Sequence, residues 1–210
     1  MSIAAPATNP ASDLELKLPA TIGAAGQALI NSSTPGTLEF GKEQGVTFAV
    51  QYAIDSNITL ANSGGFVVMP GNNLRQQSYS GAPGSTFAAG FSVGNTSGTV
   101  TFPETGLYYL HLNGDMVVTN DNIRSASVIL KTTTDNSTYN IAARRHFSIN
   151  RPTGTTSLQQ CGVEYLFDVT NTTNCKARFG AESDNIGQCW LQADSNVFLS
   201  GFTIMKLRGT

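Results

Sequence analysis

Few of the side chains that carry most chemistry are present. The 210-residue chain has two histidines, His111 and His146, and three cysteines, Cys161, Cys175 and Cys189. His111 stands in Leu107-Tyr108-Tyr109-Leu110-His111-Leu112, among aromatic and aliphatic neighbours. An imidazole in that company reads as a packed or interface residue before it reads as a general base. His146 closes Arg144-Arg145-His146, a local basic cluster that suits an anionic ligand or a solvated strand end. The cysteines are evenly spaced, without the close pairs that a zinc site needs, and read as reduced, packed thiols. There is no Gly-x-Ser-x-Gly elbow, no His-Glu-x-x-His and no phosphate-cradling glycine loop. Paired acids for glycoside hydrolysis would have to come from Asp115, Asp121, Asp135, Glu164, Asp168, Glu182 and Asp184, and spacing singles out no pair among them. Asp121-Asn122 and Asp135-Asn136 lack a calcium-loop pattern, and turns account for them. The sequence therefore reads as a non-enzyme without cofactor or metal. The side chains left as candidates for ligand contact are Tyr79, Arg124, Arg144, Arg145, Arg151 and Trp190.

Positioning these residues falls to strands. The 21 glycines, the abundant Thr, Ser and Asn, and the lack of long Ala/Leu/Glu/Lys runs argue against helices. Charged residues make up only 12% of the chain, against a typical ~25%. Between Gln44 and Pro103 only Asp55 and Arg75 are charged, so solubility there comes from hydroxyls, amides and backbone. A net charge of −2 offers no basic stripe for nucleic acid. No apolar run approaches the ~20 residues of a membrane helix. The N-terminal MSIAAPATNP lacks the basic segment and apolar core of a signal peptide, which predicts synthesis and assembly in a cytoplasm, or exit from it by another route. Without such a signal, the sequons at Asn31, Asn57, Asn95, Asn136 and Asn171 read as by-products of composition.

In chain order, residues 1–12 are small, uncharged and Pro-punctuated, and predict a flexible anchoring arm that orders on a partner. Residues 13–44 predict a short β neck. Leu14, Leu16 and Leu18 alternate with Glu15 and Lys17 in a half-buried strand from Asp13 to Ala20, followed by strands at Gln27–Ile30 and Thr37–Phe40. So short a segment cannot build its own core, and must lean on the head or on other chains. Residues 45–210 predict the head, with strands at Val46–Ile54, Phe66–Met69, Phe102–Val118, Ile123–Thr134, Tyr139–Ile149, Cys161–Val169, Lys176–Phe179 and Val197–Leu207. Phe87 and Phe91 are expected to anchor the polar stretch from Asn72 to Gly98 inward. About ten strands with short turns make a β-sandwich or jelly roll.

Phe102–Val118 is apolar on both faces of its strand, with Leu107 and Tyr109 on one and Tyr108, Leu110 and Leu112 on the other. A sandwich strand ordinarily keeps one face for water. By parity, His111 joins Leu107 and Tyr109, while Val197, Leu199, Thr203 and Met205 share one face of the last strand. Phe198, Phe202 and Ile204 then point into the core. Leaving the first set in water would expose a large apolar patch, which three-fold closure between copies would bury.

Two resemblances sharpen this. The segment LKLPATIGAAGQALINSSTPGTLEFG resembles one found just before the terminal heads of tailed-phage fibre and other virion proteins. Gly106-Leu107-Tyr108-Tyr109, the Gly162–Val169 and Lys176–Phe179 hairpin, and Leu199-Ser200-Gly201-Phe202-Thr203-Ile204 resemble, in that order, strands of the C1q/TNF-like head. That likeness covers about residues 46–208, and departs from the family at Leu199 and in the turn Thr170-Asn171-Thr172-Thr173. It implies an all-β, C1q/TNF-like jelly roll that forms a compact homotrimer, with Cys161 and Val163 joining Leu107, Tyr109, His111, Val197, Leu199, Thr203 and Met205 at the interface. The neck resemblance implies a virion protein of a tailed phage, bound through residues 1–44 to other virion proteins. The function expected is a short fibre or spike whose head binds a host-surface glycan or protein. The alternative is a capsid decoration protein that stabilises the particle, favoured by the brevity of the chain before the head. Neither role involves nucleic acid or membrane insertion.

Overall fold

The computed structural model describes residues 17–23, 27–32, 34, 37–42, 46, 48–60, 65–76, 90–119, 123–149, 154–184 and 189–209. The chain forms two compact units, residues 1–45 and 46–210. The strands of the first are β1 (Gln27–Asn31) and β2 (Leu38–Lys42), an antiparallel hairpin with Leu29 opposite Phe40. Ser32 turns the chain, its Oγ accepting the Thr34 N–H at 3.0 Å. The strand expected at Asp13–Ala20 falls partly outside the described residues. Its described portion makes only a lone parallel bridge, Lys17 to Thr37, and Leu18 is exposed rather than half-buried. Among the described residues no second strand packs on Leu18, so alternation alone does not bury it. Ile22 and Leu29 of this unit are exposed too.

The second unit contains thirteen strands among the described residues, numbered here β3 to β15. They are β3 (Phe48–Ile54), β4 (Ile58–Thr59), β5 (Val67–Val68), β6 (Leu74–Gln76), β7 (Ser92–Val93), β8 (Val100–Thr101), β9 (Gly106–Val118), β10 (Ser125–Thr133), β11 (Asn140–Ser148), β12 (Ser157–Val169), β13 (Lys176–Ser183), β14 (Cys189–Leu191) and β15 (Gly201–Arg208). The number exceeds ten because β4, β5, β7 and β8 are two-residue pieces set among turns. One sheet runs β4-β14-β9-β15-β3-β6, with β12 on the other edge of β9. The other runs β11-β10-β13-β8-β7, with β5 also on β13.

Strand β9 organises the first sheet. Its burial alternates strictly from Gly106 to Met116, with Tyr108, Leu110 and Leu112 wholly inside and Leu107, Tyr109, His111, Asn113 and Asp115 half-buried outside. The strand pairs with β12 over its whole length, while β15 and β14 share its other edge. Between the sheets, aromatic rings tie the layers together. Phe202 of β15 stacks on Phe179 of β13, with centroids 4.2 Å apart and planes 6° from parallel. Phe102 packs against Tyr108 at 4.8 Å and Phe167 at 5.7 Å. Phe91 does anchor its polar stretch, lying on Phe48 and Tyr52 at 5.6 and 5.8 Å; Phe87 lies outside the described residues.

Ala126, Val128 and Leu130 of β10 face this core, as their alternation predicts. Ser127 and Ile129, on the opposite face, are also buried. Long side chains from the flanking strands cover that face, and this covering makes a site.

Candidate functional site

Two outward faces of the sandwich bring polar and ionisable groups together. The first is the outer face of the sheet that contains β9. Strand register fixes its membership, because directly opposed residues point to the same side. On β15, Thr203 lies opposite His111 and Met205 opposite Tyr109. These four share the face with Leu107, as parity predicts. Farther on, Thr203 accepts a hydrogen bond from Gln51 Nε2 of β3 at 3.1 Å.

On β12 the parity is the reverse of the expected one. Val163 opposes Leu112 and Cys161 opposes Gly114, so both point inward. Val163 is buried in the core and Cys161 packs against it. The β12 residues that do sit outside are Glu164, opposite His111, and Leu166, opposite Tyr109. The alternation within β12 agrees with this, since Cys161, Val163, Tyr165, Phe167 and Val169 make one face apolar while Gln160, Glu164 and Asp168 mark the other as polar. Val197 and Leu199 also depart from expectation. Strand β15 starts only at Gly201, because Asp194 Oδ1 accepts the N–H groups of Asn196 at 2.7 Å and Val197 at 3.0 Å and holds that segment in a turn. Val197 is therefore an exposed turn residue, and the Leu199 carbonyl accepts from Asn113 Nδ2. Phe198, expected in the core, is half-buried in the same segment.

Two rows cross this first face. One is apolar: Leu166, Tyr109 and Met205. The other is polar: Glu164, His111, Thr203 and Gln51. Tyr109 links them, its hydroxyl donating to Glu164 Oε2 at 2.8 Å and its ring lying parallel to that of His111 at 6.4 Å. Burial of the phenol, then the Glu164 hydrogen bond and charge, raise the Tyr109 pKa. The phenol stays a neutral donor.

The second site lies on the outer face of the other sheet, on the opposite side of the sandwich. Strand β10 carries small side chains here, Ser125 and Ser127, between two strands with long ones. Glu182 of β13 and His146 of β11 both oppose Ser127. The result is a trough lined by Ser125, Ser127, Arg144, His146, Glu182 and Asp184, with a cavity of about 240 Å³. Arg144 pairs with Glu182 across it, and its Nε–H donates to Ser127 Oγ at 3.1 Å. Ser127 Oγ lies 2.9 Å from His146 Nδ1. At the mouth, both oxygens of Asp184 accept the Arg124 backbone N–H at 3.2 Å.

A serine 2.9 Å from a histidine invites comparison with a nucleophile and its base. Ser127 is wholly buried, however, and its oxygen is already bonded by Arg144. The acid of the row, Glu182, is held by Arg144 and not by His146. The hydroxyl is a structural junction, not a nucleophile.

The remaining predicted contacts scatter. Arg144 and Arg145 point to opposite faces of β11, as neighbours on a strand must. Arg145 reaches the depression lined by His111, Asn113, Gln160, Cys161, Gly162 and Glu164, so the apparent basic cluster is divided between two surfaces. Trp190 is half-buried on β14, opposite Val117 and Thr59. Arg124 is exposed, and Tyr79 and Arg151 lie outside the described residues. Ser125, Ser127, Glu182 and Asp184, unselected from sequence, become a site only when β10 and β13 pair. Among the described residues no group of three His, Cys, Asp or Glu side chains is placed to hold a metal ion. None of the described helical segments is long and apolar enough to cross a membrane.

Two packed antiparallel sheets with β9 at the centre of one are a TNF-like jelly roll. The structure of Eiger TNF from S. frugiperda is similar, with a TM-score of 0.54 at 14% sequence identity, covering 79% of this chain and 95% of that one. No family model and no curated protein matches the chain. The likeness is one of fold.

Proposed function

We propose that this protein is a homotrimeric virion spike or short fibre of a tailed phage, in which the jelly-roll head binds the host surface and the neck joins it to the particle. The observation that carries the reading is the apolar row Leu166, Tyr109 and Met205 on the outer face of the β9 sheet. It lies beside the half-buried Leu107, and no further layer covers it among the described residues of this unit. Leu166 is 55% exposed in the single chain. A closed trimer covers such a face without generating a filament. The neck adds support, because Leu18, Ile22 and Leu29 are exposed and a second and third copy would cover them. Its sequence resemblance to segments preceding phage heads supplies the virion context.

The test has two arms. Sedimentation equilibrium should return three times the 22.2 kDa chain mass. Tyr109→Asp should abolish assembly, since burying a set of carboxylates costs several kcal/mol per ion. A stable wild-type monomer overturns the trimer. Labelled wild-type head should adsorb to cells of one strain within a bacterial panel. Failure on every strain, with normal incorporation into particles, would favour the decoration role.

A further inference from the structure

The trough across β10 has the dimensions and the polarity of a saccharide subsite. We infer that it binds one neutral sugar residue through its hydroxyls. The inference rests on the adhesive reading of the head and names where the contact falls.

Neighbouring strand backbones lie about 4.8 Å apart, so those of β11 and β13 are about 9.6 Å apart, with serines on the floor between them. The Arg144–Glu182 pair spans this interval over the buried Ser127, and the open part adjoins the half-buried Ser125. The cavity of about 240 Å³ matches a single residue, not an oligosaccharide groove.

The walls differ in kind. The β13 wall offers acceptors, Asp184 and the Glu182 oxygen not bonded by Arg144. The β11 wall offers donors. Arg144 Nε–H already donates to Ser127 Oγ, which leaves the Ser127 hydroxyl proton free to donate to His146 Nδ1. In the tautomer that accepts from Ser127 at Nδ1, His146 Nε2 carries the ring proton and donates. A polyol presents hydroxyls that donate and accept in turn, and so satisfies both walls at once. An anion does not. The cation of the trough is already neutralised by Glu182, and Asp184 adds a repelling charge at the mouth. A cation would have Asp184 alone, since Glu182 is taken by Arg144 and, among the described residues, no three such side chains are placed to hold a metal ion. The neutral polyol is what remains.

Position agrees with this. The trough and the Tyr109 face lie on opposite sides of the sandwich, so trimer closure leaves the trough open.

Full-length protein is titrated with a panel of methyl glycosides (glucoside, galactoside, mannoside, rhamnoside and N-acetylglucosaminide) and, separately, with inorganic phosphate. The His146 ring resonances are followed by NMR. At least one glycoside should shift them with a millimolar-range Kd, and phosphate should not. Ser125→Gln, which fills the floor, and Asp184→Asn should each weaken that glycoside more than about tenfold with an unchanged melting temperature. A His146 shift with phosphate alone, no shift with any glycoside, or undiminished binding by Ser125→Gln overturns the proposal. Cell adsorption separates it from the reading beneath it. A Ser125→Gln head that adsorbs as well as wild type overturns the trough while leaving the adhesive head standing. A wild-type head that adsorbs nowhere overturns the adhesive head itself.

Discussion

Removing one ring of the pair that joins the two sheets tests how the head is held together. Phe202 is 1% exposed, stacks on Phe179 at 4.2 Å and lies 5.5 Å from Tyr52. Phe202→Ala leaves a cavity between the sheets and should cost about 3–5 kcal/mol. That figure alone would not distinguish the stack from simple burial. Leucine replacements do, because they retain much of the apolar bulk while abolishing the ring pair. Phe179→Leu, Phe202→Leu and the double variant form a cycle in which the ring–ring interaction appears as a coupling of about 0.5–1.5 kcal/mol. Both rings are buried and nearly parallel, so the upper half of that range is expected. Urea unfolding at one fixed protein concentration is the assay, since self-association would add a concentration-dependent contribution. If the two single costs add to within about 0.3 kcal/mol, the rings are neighbours without being partners, and the inter-sheet link is wrong.

The turn between β10 and β11 should give the head an acid-sensitive element. Asp135 Oδ1 accepts from Thr133 Oγ1 at 2.6 Å and from the Thr138 and Ser137 N–H groups at 2.8 Å, which holds the carboxyl well below the usual carboxylate range. A folded pKa below the unfolded one gives stability that is present above the unfolded value of about 3.9 and is lost as pH falls toward the folded one. Acid unfolding below about pH 3.9 should therefore be less steep for Asp135→Asn than for wild type; parallel curves would remove the turn from the account. Burial pushes the Cys189 thiol up to about 12 and that of Cys161 up to about 11. In mildly alkaline native buffer, peptide mapping after alkylation should find Cys189 unlabelled until denaturant is added, and rapid native labelling would contradict its burial.

Much of the architecture could be read from alternation. In β9 the inward set Tyr108, Leu110 and Leu112 and the outward set Leu107, Tyr109 and His111 separate as parity requires, because strand geometry has a fixed period of two. What alternation cannot supply is the phase between strands. Opposed residues on β9 and β12 differ in parity, odd against even, whereas those on β9 and β15 match. The family resemblance puts Cys161 and Val163 outside, whereas the apolar odd face of β12 turns them inward. The turn held by Asp194 was legible in Asp194-Ser195-Asn196, a run of turn-forming residues. It outranks the apolar character of Val197 and Leu199, because two backbone N–H groups are satisfied there at once. The trough was hidden for a related reason. Ser127, His146 and Glu182 are remote in sequence, and none carries a local signature. Arg144-Arg145-His146 read as one basic patch because the sequence is linear, while the strand sends its members to alternate sides.

Strand β15 is the last strand of the head in chain order, yet it lies between β3, the first, and β9. Until Gly201–Arg208 has been synthesised, the edges of β3 and β9 that it will bond have no partner, and the sheet has an open lane through its middle. Pairings so distant in sequence are slow to form, since a long loop must close before any contact offsets the cost. During that interval two unpaired strand edges flank the lane, each a template for a strand from a neighbouring nascent chain. In the proposed trimer, the timing of one strand would separate a self-contained head from a chain-swapped one.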